Sequence, residues 1–126
     1  MAETGLVIVL LIFLSMGIVE FGRAYMISNM ITHATRDGAR MASVVPASGR
    51  NSSGIITSTS AISTQVLAEI QNVMPTTGLT VTVSQPTISS IPMVSVRVNG
   101  SVPYMIKLWG TTYPVDRTVV FRDEGR

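Results

Sequence analysis

Between Glu3 and Glu20 the chain carries an uncharged, almost wholly apolar run, Thr4 to Val19, which passes into a proline-free stretch reaching Pro46. The run is roughly 16 residues long, slightly short of the roughly 20 that a free membrane span needs. It is also too uniformly apolar to be one stripe of a soluble helix. Such a segment calls for lipid around it or for many copies of itself. No Lys or Arg precedes it, and Glu20-Phe21-Gly22-Arg23 stands where a signal peptide would carry a small-residue cleavage site. The segment is therefore expected to be retained.

Beyond Glu20, the residues Ala24, Ile27, Ile31, Ala34, Gly38, Met41 and Val45 recur at spacings of three or four, and Arg23, Asn29, Arg36, Asp37 and Arg40 take the opposite face. Residues 4–44 thus read as one helix, apolar all round at first and amphipathic later. At 1.5 Å per residue it is about 60 Å long, twice the hydrocarbon thickness of a bilayer. Its second half must stand outside lipid, as the spine of a head. The chain divides into a spine, residues 1–45, and a β-rich head, residues 46–126. Ala34, Gly38 and Ala42 form a row of small side chains that admits a close neighbour, with the chain's own sheet favoured over another subunit. Gly17 and Gly22, like Gly5, each weaken a helix by about 1 kcal/mol relative to alanine. They mark points of bending or melting, or else of close helix packing.

Pro46 to Gly54 is a loop of turn formers that separates spine from head. Ile62, Val66, Ile70 and Val73 share one face within Ile56–Met74, which predicts a second helix closed by Pro75. From Leu79 the period becomes two: Leu79, Val81 and Val83, then Val94, Val96 and Val98, and a last β-rich run from Arg117 to Arg122. Asn99-Gly100 is a two-residue hairpin signal. It would fold Ser101–Ile106 back on Met93–Val98, with Pro103 marking an edge strand. The fold expected is α+β: a long N-terminal hydrophobic helix packed by a small antiparallel sheet of three or four strands, with a second short helix.

Several function classes lack parts. Without cysteine there is no disulfide framework, thiolate metal site or c-type haem attachment. The nine basic residues are scattered and the net charge is +2, so there is no electrostatic footprint for nucleic acid. His33 is the only histidine and reads as a surface residue, while Glu69, Asp116, Asp123 and Glu124 show no informative spacing. Neither enzymatic activity nor a cofactor or metal is expected. Asn51 and Asn99 fit the glycosylation pattern but are expected to be unoccupied.

One stretch has a recognisable counterpart. Gly17-Ile18-Val19-Glu20-Phe21-Gly22-Arg23-Ala24 after a long aliphatic run, then Ala34-Thr35-Arg36-Asp37-Gly38-Ala39-Arg40, resembles the TadE-like pilin family of tight-adherence (Tad, Flp or type IVb) pili. The likeness is close over residues 2–44; the remainder agrees in style, with a β-rich tail ending at Phe121-Arg122-Asp123-Glu124. It implies a pilin-like subunit made in the inner membrane and matured by a prepilin peptidase. That subunit would polymerise with itself into an extracellular adhesive filament, or prime one as a minor pseudopilin. A monomeric, single-span, membrane-anchored binding domain is the alternative from outside the family.

The resemblance makes Glu3, Phe13, Gly17, Glu20, Gly22 and Arg23 candidates for subunit assembly, and Ala34, Gly38 and Ala42 candidates for close helix packing. In type IV pilins an acidic residue, normally fifth in the mature chain, pairs with the N-terminal amine of a neighbour; Glu3 is third from Met1. The competing reading places Glu3 in solvent, favourably near the helix start. Glu20 and Arg23, three apart, make either a subunit contact or an anchor where the helix leaves lipid. The implied partners are other copies of the chain, the inner-membrane assembly machinery and the bilayer.

Overall fold

The computed structural model describes residues 2–73, 78–106 and 110–125. Helix α1 (Ala2–Ser43) is unbroken for 42 residues, passing through Gly17 and Gly22 as regular helix. Its two halves differ in what surrounds them. From Leu6 to Phe21 nearly every large apolar side chain is exposed, whereas Ile27, Ile31, Ala34, Ala39 and Ala42 are buried. Among the described residues this is the one helix long and apolar enough to cross a membrane.

A short 3-10 turn (Ala47–Gly49) and an isolated bridge between Arg50 and Ile56 lead to helix α2 (Thr59–Val73). Ile62, Val66 and Ile70 are buried as their spacing required, but Val73 is 58% exposed because the core ends before the last turn. Ile56 is buried ahead of the helix rather than in it. The proposed stop at Pro75 lies outside the described residues.

Strands β1 (Leu79–Ser84), β2 (Thr87–Ile88), β3 (Ile91–Pro103) and β4 (Thr112–Arg122) form one antiparallel sheet with β3 in the centre. Ser84 opposite Ser95 and Thr87 opposite Pro92 keep a single register, so β1 and β2 are one strand interrupted at Gln85-Pro86. The tight turn is at Ser89-Ser90, both at positive φ (50° and 66°), the backbone of a type I′ hairpin.

The expected turn at Asn99-Gly100 does not exist: β3 runs straight through it, with Asn99 opposite Thr80 on one side and Asp116 on the other. Gly100 is there for a different reason. A Cβ at this position would collide with the carbonyl oxygen of Gly78 and with Leu79, so only glycine lets β1 start so close. Ser101–Pro103 therefore continues β3 instead of folding back on it. Pro103 sits in the central strand, but beyond the point where β1 covers it, so one side there is a local edge.

The face of the sheet that carries Val81, Val83, Val94, Val96, Val98, Val102, Val115 and Val119 packs against α1 and α2, making one core. At Gly38 the approach of the helices is close. A Cβ would strike Cγ2 of Val66 on α2 and lie 3.8 Å from Val96 on β3. The row Ala34, Gly38, Ala42 is thus filled by the chain's own α2 as well as its sheet.

The loop after α1 is tied down rather than a free separator. Arg50 Nη1 and Nη2 donate to Asp123 at 2.8 and 2.6 Å, with both side chains almost fully buried. Arg50 also donates to the carbonyls of Val45 and Gly54. The amides of Glu124 and Gly125 donate to the Ser43 carbonyl, satisfying an orphan acceptor at the end of α1.

Candidate assembly and membrane surface

The first half of α1 presents Leu6 to Phe21 to the surroundings on all sides, and its one hydroxyl in the middle, Ser15, donates back to the Leu11 carbonyl at 2.8 Å. That bond satisfies the hydroxyl's donor within the helix itself. Glu3 is exposed in the first helical turn, where its charge suits the helix dipole. Phe13 is exposed as well, and it lines a shallow apolar groove with Leu10, Leu14, Gly17, Ile18, Phe21 and Gly22. Among the described residues no heavy atom outside the neighbouring turns comes within 4 Å of where a Cβ would stand at Gly17 or Gly22, so none of them explains the choice of glycine there.

Glu20 and Arg23 make their bonds within the chain. The Glu20 carboxylate is 6% exposed and accepts the amides of Met105 and Ile106, at 3.0 and 3.3 Å, from the loop between β3 and β4. Arg23 Nη1 lies 3.5 Å from Glu20 and donates to the Pro103 carbonyl at 3.2 Å. Arg23 therefore faces the head, not the outer face of α1 to which the sequence reading assigned it; three after Glu20 and four before Ile27, it lies on the buried side. Asn29, Arg36, Asp37 and Arg40 are exposed there, with His33 beside them.

Around this contact the rings of Tyr104 and Tyr113 meet at 5.3 Å, tilted by 49°. Burial pushes the Tyr113 phenol above its ordinary pKa, with Arg23 opposing and Glu20 and Tyr104 adding to the rise. Further along α1, Arg117 on the inner face of β4 donates to the Ser28 hydroxyl at 2.8 Å.

The outer face of the sheet carries an exposed pair, Arg97 to Asp116, whose Nε to Oδ1 distance is 2.9 Å. Arg97, chiefly through its hydrogen bond, holds the Asp116 carboxyl below the usual range. Arg50, Gln85, Asp123 and Met105 had no place in the sequence reading as site or clamp residues. Arg50 and Gln85 reach Asp123, and Met105 reaches Glu20, across 38 to 85 positions, and no local spacing signals such pairs.

No curated protein and no solved structure matches this chain. Residues 1–40, the stretch that contains the exposed half of α1 together with Glu20, Arg23 and Gly38, match the family model described as TadE-like protein.

Proposed function

We propose that the chain is a pilin-like subunit of a Tad-type pilus system. Before assembly the exposed half of α1 anchors it in the inner membrane. After maturation by a prepilin peptidase, the same half polymerises with its copies into an extracellular filament that attaches the cell to surfaces. The observation that supports this is the division of α1: a single continuous helix whose second half packs on the core and whose first half, Leu6 to Val19, is left exposed by the described residues.

Each large apolar side chain buried between neighbouring helices contributes about 1.5 to 3 kcal/mol against water. Against lipid the exchange is nearly even, so leaving the membrane for the filament needs little more than good packing. Glu3, solitary in its apolar setting, is the group that would gain most from pairing with a neighbour's N-terminal amine. The role is structural, without catalysis or a bound cofactor.

Electron microscopy and intact-mass analysis of filaments sheared from producing cells test the proposal. Finding this chain as the bulk component supports it. Finding it confined to the membrane fraction while another protein forms the filament leaves a minor pseudopilin that primes assembly or a monomeric membrane-anchored domain, and the polymer role fails.

A further inference from the structure

The apolar run Thr4–Val19 spans about 24 Å as a helix, short of a hydrocarbon layer of about 30 Å. The molecular surface just beyond it is not polar. Further along α1, Phe21, Tyr25 and Met26 are 76%, 65% and 61% exposed, which carries the apolar surface on to about 34 Å. On the side toward the head, where Glu20 would end it, the β3–β4 loop covers the carboxylate and satisfies it with two amides, while Met105 projects outward at 68% exposure. Tyr104 lines a shallow, mostly apolar pocket with Gly17, Glu20, Phe21 and Ala24. The loop is held at this level from both ends of the charge pair, by Glu20 through Met105 and Ile106 and by Arg23 through Pro103.

We propose that the β3–β4 loop at Tyr104–Ile106 is a membrane foot. With Phe21, Tyr25 and Met26 it forms an apolar collar around Glu20 and Arg23 that lies at the boundary between hydrocarbon and headgroups, and it seats the head directly on the bilayer. This rests on reading α1 as a membrane anchor before assembly. The occupant is lipid because the collar is continuous with the lipid-length face of α1. The surface it presents is also of the boundary type, apolar Met and Phe beside amphipathic Tyr rings. It engages acyl chains, not headgroup charge, since Glu20 and Arg23 are turned inward to each other and to the loop backbone.

The absence of cysteine makes the test direct. Nitroxide labels at single-cysteine variants Leu10→Cys, Tyr25→Cys, Met105→Cys and Ser53→Cys of the full chain, all at exposed positions, are read in phosphatidylethanolamine–phosphatidylglycerol vesicles. Collision with lipid-soluble oxygen is compared with collision with an aqueous nickel chelate. The expected order of lipid exposure puts Leu10 deepest, Tyr25 and Met105 at the boundary, and Ser53 in water, and it persists in pure phosphatidylcholine.

A label at 105 as water-accessible as that at 53, with 10 still in lipid, overturns the foot and leaves the anchor standing. Shielding of 105 from both reagents, with spin–spin broadening between chains, gives the surface to a second copy and overturns it too. Loss of the boundary position when the anionic lipid is withdrawn equally counts against an apolar collar. A label at 10 in water removes the anchor and the foot together.

Discussion

The guanidinium of Arg50 lies fork to fork on the carboxylate of Asp123, joining the loop after α1 to the residue just past the end of β4. Both charges are out of water, with side chains 3% and 1% exposed. Removing one partner strands the other, so Asp123→Ala is expected to cost about 3 to 5 kcal/mol. Replacing both, as in Arg50→Met with Asp123→Leu, should cost far less. Urea unfolding of the full chain in detergent gives both values; equal losses for the single and double variants would show that the pair is not what the site depends on.

Acid should undo the same clamp. Burial alone would raise the Asp123 carboxyl, but the hydrogen bonds and charge of Arg50, with the Gly125 amide and Gln85, outweigh it and hold the group below the usual carboxylate range. A depressed folded value means that the stabilisation is complete above the unfolded value of about 4 and is lost as pH falls through the folded one. Unfolding free energy measured down a pH series should fall in that acidic window, and Asp123→Asn should flatten the fall. An unchanged slope in the variant would assign it to other carboxylates.

Gly38→Ala sets two effects of opposite sign against each other. Alanine gains about 1 kcal/mol of helix propensity, yet its methyl meets Cγ2 of Val66, a β-branched side chain with little freedom to move. Overpacking of this kind costs about 1 to 3 kcal/mol, so the net effect should be destabilising. In a Val66→Ala background the sign should reverse. A double-mutant cycle reads the coupling, and additivity within about 0.5 kcal/mol would refute the contact.

Glu20→Gln keeps one acceptor but turns a donor toward the second loop amide. The loss expected is about 1 to 3 kcal/mol, and faster hydrogen exchange at Met105 and Ile106 should localise it. Exchange that stays slow at both amides would mean that the loop is fixed by other contacts.

If Glu3 pairs with a neighbour's amine, Glu3→Ala should abolish filaments while leaving membrane insertion intact, as counted by microscopy and by membrane fractionation. Filaments at normal abundance would leave Glu3 as a residue that merely suits its own helix start.

How much was legible in the sequence depends on the range of the forces involved. The helix from Ala2 to Ser43 was readable because hydrophobic periodicity is local, and so were the inward valines of β1 and β3. Asn99-Gly100 misled because a glycine needed for close approach looks identical to one needed for a turn. Ser89-Ser90 went unnoticed because serine seldom adopts positive φ. The Arg50–Asp123 clamp and the seating of Met105 on Glu20 were invisible for a simpler reason: each joins residues 73 and 85 positions apart, and only the folded chain brings them together. Arg23 was set on the outer face with the other charged residues, although a position three after Glu20 and four before Ile27 lies on the buried side of the helix.

The unbroken course of α1 has a mechanical consequence. No break in the helix separates its exposed half from the part that carries the sheet. If the chain has the role proposed above, a tilt of the exposed half is carried along one helix to the head, as by a lever, and the face that the head turns outward follows the angle at which the helix is held.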